Sequence, residues 1–166
     1  MYDEDGRPIG LHIEQGERIK RLNLRDGPGN FHMKPNGVFA VDEAGLVSIR
    51  TSDSYGRREP RGIMWATQSG PMLVVGGALH PRINPDGESR LVRNGVGVAD
   101  PRTAYFVISD DPVSFGRFAR LFRDVLKCPN ALFLDGTVSS LWDPAAGRRD
   151  AHAAIGPMAV VLRRTP

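Results

Sequence analysis

Cysteine occurs once, at Cys128, so the chain can close no internal disulfide and can build no multi-cysteine zinc site. Lysine is nearly as scarce, confined to Lys20, Lys34 and Lys127, and the basic side of the charge balance is carried by arginine. No apolar run approaches the roughly 18 residues that a membrane helix requires. The opening Met1-Tyr2-Asp3-Glu4-Asp5 is acidic, which excludes it as a secretory signal and leaves the compartment unreadable from this end. No basic stripe interleaves with aromatic residues, which argues against a nucleic-acid partner. His12, His32, His80 and His152 show no short metal-ligand spacing, and neither a phosphate-cradling loop nor a dinucleotide fingerprint is present. No metal ligands and no cofactor are therefore read from the sequence, a divalent cation being left open. Internal repeats are absent too.

What the chain does have is turn chemistry. Its 19 glycines and 13 prolines, with 40% hydrophobic residues, favour short strands and functional loops around one core. At 166 residues the chain can bury roughly two-thirds of its unfolded surface as a single domain over residues 1–166. Gly10–Glu14 alternates as a short strand after a turn at Asp5-Gly6, and Asp3-Glu4-Asp5-Gly6 lacks the later ligands of a calcium loop. Val38–Val41 and Leu46–Ile49 read as a hairpin, Ser52–Arg61 as loop, and Ile63–Ala66 and Met72–Val75 as two strands around a tight Ser69-Gly70-Pro71 turn.

Thr103–Ile108, β-branched and aromatic, reads as a central strand. One helix is predicted from an N-cap at Ser114, with Phe115, Phe118, Leu121, Phe122, Val125 and Leu126 as its core stripe and Pro129 beyond its end. Asp110 and Asp111 precede that helix, and capping is the simpler use of Asp111. Met158–Leu162 reads as a closing strand. The fold class is α+β: a single domain of mixed or antiparallel sheet with few helices.

The stretch richest in chemistry is Asn130-Ala131-Leu132-Phe133-Leu134-Asp135-Gly136-Thr137-Val138-Ser139-Ser140. A buried strand there delivers Asp135 to its end, where a loop can present the acid to a ligand. The alternative is an Asx-type turn that merely ends a core strand. Ser69, His80 and Asp135 together supply the residue types of a serine-hydrolase triad, but the nucleophile-elbow pattern is missing, and Ser69 with Gly70 fits a ligand-binding turn better. Asp110 is a candidate second carboxylate. His80 follows the Ser69 turn and is a further candidate, set against a plain hydrogen-bonded histidine.

Ala131–Ser140 resembles the Leu-Asp-Gly-rich-Ser-Ser motif of the phosphodiester glycosidase family. Ala66-Thr67-Gln68-Ser69-Gly70-Pro71-Met72-Leu73-Val74 resembles its Gly-Pro-Leu-Leu block, and Arg93-Asn94-Gly95-Val96-Gly97-Val98 its Arg-x-x-aliphatic-Gly block, in the same order. Gly27–Phe31 and Lys34–Phe39 are similar to the family's bacterial branch. The resemblance implies a hydrolase that cleaves a sugar-1-phosphodiester, releasing free sugar and a phosphomonoester. It implies Asp135 as the proton-transferring or nucleophilic carboxyl and Arg93 as the phosphate clamp, against a structural ion pair for Arg93. Ser69, Gly70, Asn94, Gly95, Gly136, Ser139 and Ser140 would line the substrate. It also implies an N-terminally truncated chain, because in the family further strands and an Asn-Ala-Gly run precede the segment like Met1-Tyr2-Asp3. An exported or periplasmic, cell-envelope setting would follow. A non-catalytic module binding envelope glycans or anionic polymers is the alternative, since fold alone does not separate the two.

Overall fold

Strand β3, Gly37–Asp42, is apolar on both faces, and a strand of that kind must be covered on both sides. Val38 and Ala40 turn one way, towards Leu11, Ile13, Tyr55 and Ala66, while Phe39 turns the other way, towards Ile49, Met72, Val96, Val98 and Leu132. The computed structural model, which describes residues 2–3, 5–151 and 158–162, meets this demand with two stacked five-stranded antiparallel sheets.

The first sheet holds β1 (His12–Glu14), β2 (Glu17–Lys20), β3, β4 (Val47–Thr51) and β5 (Ile63–Ser69), in the order β2-β1-β5-β3-β4. The second holds β6 (Met72–Val75), β7 (Ala78–Leu79), β8 (Asn94–Asp100), β9 (Thr103–Ile108) and β10 (Asn130–Asp135), in the order β7-β6-β10-β8-β9. Helix α1 (Ser52–Arg57) packs on β3 and β4, and helix α2 (Phe115–Arg120) continues through a π-helical turn, Leu121–Val125, over the far face of the second sheet. A two-stranded ribbon, β11 (Trp142–Asp143) with β12 (Arg148–Arg149), follows β10. The chain is α+β with few helices.

Several expected elements are found where the local chemistry puts them. The β3–β4 hairpin turns on Asp42, whose carboxylate accepts from the N–H groups of Ala44 and Leu46. Ser114 caps α2, its hydroxyl accepting from Arg117 N–H. Asp111 takes no part in that cap. Phe118 and Phe122 enter the core beside the buried Cys128, whose thiol pKa burial pushes up. Val125, expected in the same stripe, is 68% exposed. After Leu121 the helix widens to a π turn, closed by Leu126 N–H on Leu121 O, and the helical spacing no longer keeps one face inward.

Other expectations give way to tertiary structure. β5 and β6 do not pair with each other: the first ends in one sheet, the second begins in the other, and Gly70-Pro71 carries the chain across. Thr103–Ile108 is an edge strand, with Tyr105 and Phe106 half-open to solvent. Ser52–Arg61 is not all loop, because Thr51 caps α1 by accepting from Ser54 N–H. Met158–Leu162 forms no strand, and its apolar side chains are exposed. No helix among the described residues is long and apolar enough to cross a membrane.

Candidate functional site

The centre of the second sheet belongs to β10, flanked by β6 as far as Leu132 and by β8 along its whole length to Asp135. Asp135 is its last residue, and the ladder places it opposite Asn94, the first residue of β8. A register shift between Phe133 and Asp135 interrupts the regular ladder at this point. Gly136 and Thr137 each donate a backbone N–H to Asp135 Oδ1, at 2.6 and 2.9 Å, and Val138 donates to Oδ2 at 3.3 Å. The carboxylate therefore caps its own turn, and three of its roughly four acceptor directions are engaged. Ser139 ties the turn to β8: its hydroxyl accepts from Asn94 Nδ2 at 3.0 Å and lies within bonding distance of Val92 O and Asp135 O.

Arg93 lies beneath this turn and is 0% exposed. Its Nε donates to Val113 O at 2.8 Å and its Nη2 to Ser89 O at 3.1 Å, while Nη1 has no acceptor among the described residues. The guanidinium carbon lies 3.7 Å over the centre of the Phe115 ring and 5.7 Å from that of Phe133. Burial pulls the Arg93 pKa below its ordinary value. No carboxylate forms an ion pair with it among the described residues. The spare nitrogen faces Gly136: a Cβ there would stand 3.4 Å from Nη1 and 3.2 Å from the Phe133 ring, so a side chain at this position would crowd the ring beneath the turn. The two-pronged face expected of a phosphate clamp is thus half committed to carbonyls, leaving one nitrogen directed at the turn.

The remaining candidates distribute around these two. Ser69 is buried and its hydroxyl donates to Phe133 O at 2.6 Å, which joins the end of β5 to the end of β10. Gly70 is buried against the segment Asn30–Asn36. Gly95 lies under Phe118 of α2, on the helix side of the sheet. Ser140 is half-buried, with a hydroxyl that finds no partner among the described residues. Asp110, two residues past β9 at the same end of the sheet, is exposed and pairs with Arg148 Nη1 at 2.7 Å. His80 is buried, with Nδ1 accepting from Arg82 N–H at 3.1 Å; burial holds its pKa below the ordinary value, offset in part by the nearby Lys34 carbonyl. No hydrogen bond connects Ser69, His80 and Asp135, so the residues of a serine-hydrolase triad are not assembled. Among the described residues, no group of three or more His, Cys, Asp or Glu could hold a metal ion.

Three contributors were not singled out from sequence. Phe115 reads there as one more core aromatic, and Ser89 and Arg148 belong to none of the motif blocks. Only the coordinates bring Phe115 and Ser89 onto Arg93, and Arg148 between Asp110 and Asp150.

Comparison with known proteins gives the family and the fold. The chain is 40% identical over 144 residues to the uncharacterised protein YigE of Escherichia coli (strain K12), an alignment covering 86% of this chain and 55% of that protein. Its fold is similar to the catalytic domain of zebrafish N-acetylglucosamine-1-phosphodiester alpha-N-acetylglucosaminidase, solved in a form auto-inhibited by its pro-peptide. That match has a TM-score of 0.54 at 16% identity, covering 82% of this chain and 48% of that one. The chain thus spans about half the length of these relatives. The family model for phosphodiester glycosidases matches residues 1–156, and the chain belongs to that family.

Proposed function

We propose that the end of β10 is a hydrolytic site for a sugar joined through its anomeric carbon to a phosphodiester. Water would add to the anomeric carbon as the bond from that carbon to the bridging oxygen breaks. The bridging oxygen leaves with the phosphorus, so the products are free sugar and a phosphomonoester. The observation that carries this reading is the buried, unneutralised Arg93 guanidinium, one nitrogen unspent, directly under a turn tipped by a carboxylate.

Each half of that arrangement answers a need of the reaction. The phosphodiester is anionic, and a fixed cation in a water-poor setting stabilises the charge that builds on the leaving oxygens. The leaving group or the attacking water needs a proton-transfer partner, and Asp135 is the carboxyl at the strand end to provide it. Asn94, Gly136, Ser139 and Ser140 would orient the sugar and phosphate around that pair. Ser69 and Gly70 would act from beneath, through the Phe133 carbonyl, and Gly95 through the packing of β8 on α2. His80 and Asp110 stand further out, the one under the Lys34 carbonyl and the other on Arg148.

The test is turnover of a sugar carrying an aryl phosphodiester at its anomeric carbon. Release of reducing sugar together with aryl phosphate supports the proposal. Binding of envelope glycans or anionic polymers with no release of sugar would replace it with a binding module. The three N–H bonds that Asp135 spends on its own turn are the observation that favours that second reading.

A further inference from the structure

A buried arginine needs something to face its charge, and the usual solution is a carboxylate. Arg93 has none in ion-pair range among the described residues. Two neutral groups, the carbonyls of Val113 and Ser89, take Nε and Nη2, and the flat side of the guanidinium rests on Phe115 at 3.7 Å. A ring face attracts a cation through its quadrupole but carries no net charge. The difference matters for an anionic ligand: a carboxylate would cancel the guanidinium, whereas a ring holds it in place and leaves its full charge available.

We propose that Phe115 is a positioning residue for this site, its ring face standing where a counter-ion would otherwise be, so that Arg93 stays fixed and unneutralised beneath the Asp135 turn for the phosphate of the substrate. This rests on the function proposed above. Phe115 is well placed to act as a rigid support. It follows the Ser114 cap as the first residue of α2, and its ring meets that of Phe133 edge-on, 4.8 Å between centres at 67°. Phe133 in turn is on β10, two residues before Asp135, and its carbonyl accepts from Ser69. Helix, ring, cation and turn therefore form one stack, in which Val113 O and Ser89 O hold the edge of the guanidinium and the ring holds its flat side. An anion seated on the turn would meet the charge of Arg93 across Gly136, the guanidinium itself being fully buried, and Phe115 acts only through that charge.

Two readouts separate this role from simple packing. The first is arginine-detected NMR on isotope-labelled protein, which reports rotation about the Nε–Cζ bond whether or not the protein turns over any substrate. Clamped on the ring, Arg93 gives separate Nη1 and Nη2 signals; in Phe115→Leu these merge, and in Phe115→Tyr, which keeps the ring face, they stay apart. The second is kinetics on the aryl sugar phosphodiester: Phe115→Leu should lower kcat/KM by roughly 30-fold, the equivalent of a desolvated cation–π contact, and Phe115→Tyr should restore most of it.

If Phe115→Leu does not fold, trifluorophenylalanine at position 115 keeps the shape while weakening the ring face, and the Nη signals should then broaden towards coalescence. Separate Nη signals with unchanged kcat/KM in folded Phe115→Leu, or signals unaltered by fluorination, would overturn the proposal. A wild-type protein that releases no sugar, yet whose Nη signals merge on loss of the ring, would remove the proposed reaction and leave the positioning role standing.

Discussion

Replacing Gln68 by leucine should cost more stability than any exposed substitution in this protein, although the two side chains are nearly equal in size. Gln68 is buried on β5, and all of its hydrogen-bonding capacity is used. Its Oε1 accepts from Leu11 N–H at 3.0 Å and Asn23 N–H at 2.9 Å; its Nε2 donates to Asn23 O at 2.7 Å and Ser52 Oγ at 2.9 Å. One side chain thus fastens the start of β1, the coil at Asn23 and the first residue of α1 to the first sheet. Leucine would orphan those partners. Each fully buried polar group left unpaired costs about 1–3 kcal/mol, and the Leu11 amide and Ser52 hydroxyl belong to almost fully buried residues. The half-open Asn23 groups recover part of their loss from water. Allowing for that and for the apolar burial leucine gains, the net cost is about 2–4 kcal/mol, a large share of the roughly 5–15 kcal/mol that holds a domain together.

Urea unfolding followed by circular dichroism measures it, as a lower midpoint at unchanged slope. A loss under about 0.5 kcal/mol, the range of an ordinary surface change, would refute the reasoning. Gln68→Glu provides an internal control with a sign. The carboxylate faces the Asn23 carbonyl with no proton to give, so that variant should gain stability relative to the wild type as the pH is lowered and the group protonates.

A methyl group at Gly97 would stand 2.5 Å from the Phe122 ring and 2.8 Å from the Cys128 sulfur, so Gly97→Ala should overpack the contact between β8 and the helix by about 1–3 kcal/mol in urea unfolding. His80 is held below its ordinary pKa by burial, so the unfolded chain takes up its proton first. Its contribution is complete above the unfolded value of about 6.5 and is lost as the pH falls from there through the lower folded value. Stability measured across that interval should decline in the wild type and decline less in His80→Gln. Arg93→Lys should lower kcat/KM on a sugar phosphodiester by at least about 10-fold and destabilise the fold by about 1–3 kcal/mol, since one ammonium cannot reach both Val113 O and Ser89 O while lying flat on Phe115.

The features legible in the sequence are those decided locally. The Asp42 hairpin turn, the Ser114 cap and the apolar run ending at Asp135 each carry their cause within a few residues, and each is found in place. Even the simpler alternative for Asp135, a turn of the Asx kind, is present in its three N–H bonds. What was not legible depends on partners far along the chain. Nothing in Ile63–Val75 says that its two strands serve different sheets, and nothing in Thr103–Ile108 says that it has a neighbour on one side only. The short helix α1 lies in a stretch whose polar composition reads as loop, and its cap at Thr51 is found only in the structure.

The site divides in the same way. Asp135, Asn94 and Ser139 were recognisable from their motif blocks, and the ladder and the Asn94–Ser139 bond bring them together. The setting of Arg93 was not, because the groups that hold it come from Ser89, Val113 and Phe115, none of which belongs to the block that contains the arginine.

The central claim is that the bond broken joins the sugar to oxygen, and hydrolysis in heavy-oxygen water tests it most directly. Mass spectrometry of both products after turnover of an aryl sugar phosphodiester locates the label. The account predicts heavy oxygen in the hydroxyl of the released sugar and none in the phosphomonoester, with the signal abolished in Asp135→Asn. That variant keeps the Oδ1 side of the turn and gives up only the weakest of its three bonds, to Val138. Label appearing in the phosphate instead would mean attack at phosphorus, and would contradict the assignment of this site as a glycosidase.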